Sequence, residues 1–92
     1  MEPQRRRFAV EGRVQGVGFR AWTARQASTL GLSGIVRNQP DGAVEIEVTG
    51  QEPALDRFRE RLTEGPRFAA VRLVRDLPCT ERVLPADFRI VD

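Results

Sequence analysis

SGIVRNQPDGAVEIEVT, residues 33–49, reads as two strands joined by a tight connection. Pro40 presets the backbone for a turn and Gly42 admits positive φ, while Val44, Ile46 and Val48 alternate with Glu45, Glu47 and Thr49 in the second arm. An antiparallel hairpin at this point decides the fold, because it interrupts any run of parallel strand-helix units. The alternation also predicts a strand with one apolar and one wet face, on which Glu45 and Glu47 form a solvated surface.

Working outward, RFAVEGRV (7–14) sets Phe8, Val10, Gly12 and Val14 against Arg7, Ala9, Glu11 and Arg13, the two-residue period of a first strand. FRAWTARQASTLG (19–31) places Phe19, Trp22, Ala27 and Leu30 near a 3.6-residue period and ends on Gly31, which predicts a helix with Trp22 in the core. Beyond the hairpin, Gly50 breaks the pattern, Pro53 suits a first helical turn, and Leu55, Phe58 and Leu62 share one face of a second helix ended by EGP (64–66). FAAVRLVRD (68–76) reads as a fourth strand and DFRIV (87–91) as a short fifth, separated by the irregular LPCTERVLPA (77–86). The order β-α-β-β-α-β, with right-handed crossovers, predicts an α+β ferredoxin-like sandwich: an antiparallel sheet with both helices on one face. Residues 1–92 are expected to form one domain, with 1–6 as a flexible tail.

Ninety-two residues suffice for a single small core. The lone Cys79 excludes an internal disulfide, and the absence of histidine removes any zinc site of the usual Cys/His kind. A reducing, cytoplasmic setting is the default. No apolar stretch follows MEPQRRR (1–7) and no window reaches the length of a membrane span, so a soluble, unexported chain without a membrane partner is expected.

All fifteen cations are arginine, against thirteen acids. Without lysine, histidine or tyrosine, only Cys79 and the terminal amine titrate between about pH 6 and 11, so the high isoelectric point carries little positive field. Arg5–Arg7 then read as a solvated tail rather than a nucleic-acid contact. The same inventory leaves no imidazole, amine or phenol as a general acid or base near neutral pH. Catalysis would have to use carboxylates, the thiol, amides, arginine or the substrate itself. Cys79, between Pro78 and Thr80 with no histidine to activate it, is not read as a nucleophile.

GRVQGVGFR (12–20) lies between the first strand and the first helix. Gly16, Gly18 and Ala21 satisfy G-x-G-x-x-A, but the next element is a hairpin and the acid about twenty positions on is Asp41 in its turn, so the dinucleotide fingerprint fails. A Walker loop fails for want of lysine. A loop poor in side chains that ends at a helix N-terminus can still aim several N–H groups at one anion, and Arg20 adds a guanidinium suited to phosphate or carboxylate. The plain alternatives are a tight connection with a solvated Arg20, and an Asn38 that merely ends a strand. The residues by themselves leave both pairs of readings open.

Gly12, Val14, Gln15, Gly16, Val17, Phe19 and Arg20 together resemble the first signature of the acylphosphatase family. GIVRNQPDGAVEIEVTG (34–50) resembles its second, with Gly34, Val36, Arg37, Asn38, Gly42, Val44 and Gly50 at the family's spacing. The resemblance implies hydrolysis of a carboxyl-phosphate anhydride to a carboxylate and inorganic phosphate, without metal, cofactor or covalent phosphoenzyme. It implies that Gln15, Gly16, Val17, Gly18 and Phe19 offer backbone N–H groups to the phosphoryl oxygens, that Arg20 binds the same phosphate, and that Asn38 orients the attacking water. The partner would be a small-molecule acyl phosphate, and the chain is expected to act as a monomer. Ile35 stands where the family usually has an aromatic residue. Two other functions fit the same fold. An RNA-recognition module would need aromatics on the open sheet face, where this chain has Glu11, Glu45 and Glu47 and keeps Phe8 on the inner side. A phosphate-sensing domain would keep the loop and Arg20 without turnover.

Overall fold

The computed structural model describes residues 2–92; Met1 lies outside the described residues. Its elements are β1 (Gln4–Arg13), α1 (Phe19–Thr29), β2 (Ser33–Asn38), β3 (Val44–Gly50), α2 (Glu52–Glu64), β4 (Ala70–Leu77) and β5 (Phe88–Ile90). The strands form one sheet in the order β4-β1-β3-β2-β5. The first four are antiparallel to their neighbours and give the ferredoxin-like sandwich, whereas β5 runs parallel to β2 and makes the sheet mixed rather than purely antiparallel.

The period-two pattern fixes which side chains meet on the helix side. Phe8 lies opposite Ile46 and Val10 opposite Val44 across β1 and β3, and Val10 also faces Val74 of β4. Leu55, Phe58 and Leu62, one face of α2, close over them, and all are fully buried. The Phe58 ring meets Phe8 at 6.4 Å and Phe88 at 6.3 Å, tying the ends of the chain to one core. On α1, Phe19, Thr23 and Ala27 are buried, with Trp22 half-buried beside Phe19. No helix among the described residues is long and apolar enough to cross a membrane.

The opposite side of the sheet departs from the sequence reading. Glu45 and Glu47, expected on a wet face, are 1% and 0% exposed. Arginines from the neighbouring strands cover them: Arg7 Nε donates to Glu45 at 2.5 Å, Arg37 Nε to Glu45 at 2.6 Å and Arg5 Nε to Glu47 at 2.8 Å. Residues 78–87 then cross this face as a strap. The Thr80 N–H and hydroxyl donate to Glu47 at 2.8 and 2.7 Å, and Arg82 reaches Glu45 at 3.3 Å. Alternation reports which residues share a face, not what lies on it.

Within the tail expected at residues 1–6, of which Met1 lies outside the described residues, the reading of residues 4–6 is corrected for the same reason. Residues 4–6 are rungs of β1, with Arg5 opposite Thr49 and the Arg6 guanidinium on Asp56 at 2.8 Å. Arg5 and Arg7 each find a carboxylate on the adjacent strand, so a stretch that looks solvated by composition is held in the sheet.

Candidate functional site

Residues 14–18 connect β1 to α1 at one end of the sheet. Val14 is buried and anchors the start of the loop, after which Gly16 and Gly18 take φ values of 74° and 81°. A Cβ on Gly16 would meet nothing within 4 Å, and one on Gly18 only a ring carbon of Phe68 at 3.8 Å. Left-handed backbone, not crowding by the protein, is therefore what demands glycine here. The same lack of side chains leaves the space over the loop open.

Gly18 is the N-cap of α1 and supplies no side-chain cap, and no acid occupies the first turn. The first intrahelical bond runs from the Trp22 N–H to the Gly18 carbonyl at 3.1 Å. The amides at the start of the helix are thus left for an anion, with the helix dipole favouring negative charge at the same point. Arg20, half-buried in this first turn, has no hydrogen bond or ion pair among the described residues. Asn38, last residue of β2, enters from the other side, and its buried Oδ1 has no partner among the described residues.

These groups share one cleft of about 180 Å³, lined by Gly16, Gly18, Phe19, Arg20, Asn38 and Ile90 over a floor of Val14. No carboxylate or thiol is among the lining residues. A larger concavity of about 400 Å³ between Glu11, Asp41 and Arg72 lacks free chemistry. There Glu11 is neutralised by Arg72 and Arg75 at 2.8 and 2.6 Å, and Asp41 Oδ1 is taken by the Ala43 N–H at 2.9 Å.

Five of the residues singled out by sequence, Gly16, Gly18, Phe19, Arg20 and Asn38, are thereby brought together. Val17 and Gln15 are not among the lining residues. Val17 packs half-buried against the core, and the Gln15 side chain turns to the hairpin, where Nε2 donates to the carbonyls of Gln39 and Ala43 at 2.8 and 2.9 Å. Ile90 was not singled out by sequence. It reaches the cleft only because β5 pairs with β2, where Val36 faces Ile90, and no local pattern announces a pairing across fifty residues.

The acylphosphatase family model matches residues 6–90. An acylphosphatase of Nitratidesulfovibrio vulgaris is 48% identical over 88 residues, covering 94% of this chain and 88% of its own length. The crystal structure of acylphosphatase from Bacillus subtilis superposes with a TM-score of 0.81 at 39% identity, over 96% of this chain and 98% of that one. An acylphosphatase structure from Coxiella burnetii gives 0.84 at 33% identity, over 98% and 94%. Fold, length and sequence agree along nearly the whole chain, which belongs to the acylphosphatase family, hydrolases acting on acid anhydrides.

Proposed function

We propose that the cleft hydrolyses acyl phosphates by binding the phosphoryl group on the backbone N–H groups of residues 15–19 and on the Arg20 guanidinium, with Asn38 Oδ1 accepting a hydrogen bond from the attacking water. The water oxygen forms the new bond to phosphorus while the bond from phosphorus to the acyl oxygen breaks. The carboxylate leaves with the electron pair, and the water's proton passes to a phosphate oxygen. A carboxylate is a good leaving group, so positioning and charge stabilisation suffice, and the lack of a side-chain base in the cleft is no obstacle.

The observation that carries this reading is the pairing in one small cleft of two groups without a partner among the described residues: the Arg20 guanidinium beside the bare helix N-terminus, and the buried Asn38 amide oxygen. Leaving a buried acceptor without a partner costs about 1–3 kcal/mol, and a bound water recovers that cost. The same reading has the protein act as a monomer, without metal, in a reducing compartment where the exposed Cys79 thiol persists.

Benzoyl phosphate hydrolysis in excess chelator tests it, alongside light scattering for the oligomeric state. Arg20→Ala should lose phosphate binding, since two charge-assisted hydrogen bonds of about 1.5–3 kcal/mol each disappear. Asn38→Ala should retain competitive inhibition by inorganic phosphate and lose turnover by about 100-fold or more. Turnover retained in Asn38→Ala, or abolished by the chelator in wild type, would overturn the assignment.

A further inference from the structure

Gln15 opens the phosphate loop, yet its side chain is spent elsewhere. Nε2 donates to the carbonyls of both Gln39 and Ala43, two residues that frame the β2–β3 turn. Gln39 directly follows Asn38. Its own N–H donates to the Ala43 carbonyl at 2.8 Å, and its Nε2 to Glu45 Oε1 at 2.8 Å. Asn38 is therefore held by the ladder opposite Val44 on one side, and on the other by a turn that Gln15 grips. The loop needs such a bracket, because Gly16 and Gly18 contribute no side chains that could fix its distance from the hairpin.

We propose that Gln15 is a positioning residue that sets the separation between the loop with Arg20, which holds the phosphoryl group, and Asn38, which holds the water. This rests on the reading of the cleft as a hydrolytic site. A neutral primary amide is the group that offers two N–H protons to two carbonyls without importing charge. Lysine would import a cation, and glutamate would set a carboxylate against two acceptors.

The test compares wild type, Gln15→Met and Gln15→Glu for kcat and KM on benzoyl phosphate, for competitive inhibition by inorganic phosphate, and for thermal melting. In Gln15→Met, kcat should fall about 10- to 100-fold, the scale of an ångström of misplacement. The inhibition constant of phosphate should stay within about threefold, because Arg20 and the loop amides are intact. In Gln15→Glu, kcat is low at pH 7, and part of it returns relative to wild type near pH 5, where the protonated acid donates one of the two lost bonds. The carboxylates of Asp41, in the turn that residue 15 grips, and of Glu45, bound to Gln39 and paired with Arg37, favour that protonation. The comparison within a single folded Gln15→Glu protein keeps the test decisive even if Gln15→Met melts early.

Loss confined to phosphate affinity at unchanged kcat, unaltered kinetics in folded Gln15→Met, or no recovery of Gln15→Glu in acid would overturn the bracket. Wild type without turnover would instead overturn the hydrolytic reading on which it rests.

Discussion

At Gly18 the backbone sits at φ 81° one residue before α1, with room for a side chain above it. Gly18→Ala therefore separates conformational cost from steric cost. The left-handed region is about 1–2 kcal/mol less favourable for alanine than for glycine, which for a chain of this length corresponds to a melting temperature lower by roughly 5–15 °C. Because the cap that orients the first amides is the same residue, affinity for inorganic phosphate should fall with it. Differential scanning calorimetry and phosphate titration check the pair of effects, and a variant that melts like wild type and binds phosphate equally well would contradict the account. At this scale the candidate site was partly legible. Two glycines before a helix announce a loop without side chains, and the motif around Asn38 marks it out, but nothing local says that Asn38 Oδ1 is buried without a partner or that Gln15 turns away from the cleft.

The strap over β3 shows where legibility ends among elements. Helices and strands follow from periodicity within ten or so residues, so β1, α1, the hairpin, α2 and β4 are readable to within a few residues. What covers Glu45 and Glu47 is set by residues far along the chain, Thr80 and Arg82, and by arginines whose role depends on strand register. The strap in turn delivers β5, a three-residue edge strand too short to hold itself. Glu47→Gln takes the counter-charge from Arg5, leaves Arg82 only its pair with Glu45, and weakens the hold on Thr80. Removing one partner of a buried ion pair costs about 3–5 kcal/mol, and here roughly 2–3, since the Arg5 and Arg82 side chains are 29% and 30% exposed and partly solvated. Thr80→Val removes the hydroxyl's bond to Glu47 along with the weaker ones it accepts from the Arg82 N–H at 3.2 Å and from Arg5 Nη2 at 3.4 Å, and should cost about 1.5–3 kcal/mol. Urea denaturation gives both numbers, and limited tryptic digestion reports the strap: cleavage after Arg82 should accelerate in Glu47→Gln. Equal stability and an unchanged digestion pattern would mean that the strap is held by its apolar contacts alone.

For the molecule as a whole, the same two carboxylates make acid the condition that the fold resists least. Burial pushes Glu45 up, but hydrogen bonds from Arg37 and Arg7 and the charges of Arg7 and Arg82 outweigh it and hold the group below its ordinary 4.5. Burial likewise raises Glu47, against the Thr80 hydroxyl and N–H and the Arg5 guanidinium, and the balance again falls below 4.5. Asp76 is lowered from 3.8 by the Arg59 hydrogen bond against a smaller effect of burial, but its side chain is 66% exposed and adds little. The sign follows from linkage. As pH falls through 4.5 the unfolded chain takes up protons that the folded carboxylates still refuse, so the stability these groups supply is present above that pH and drains away below it, until the folded groups protonate too. With no histidine in the chain, nothing comparable titrates between about pH 5 and 8, and the melting temperature should be level there and drop from about pH 4.5 downward. Because Glu45 and Glu47 are sealed from solvent, about 0.5 M salt should leave most of that acid slope in place while it screens the exposed pairs of Arg72 and Arg75. Glu47→Gln, already less stable at pH 7, should show a shallower slope, so that wild type and variant converge as pH approaches 3. Parallel curves would show that the acid sensitivity resides elsewhere in the molecule.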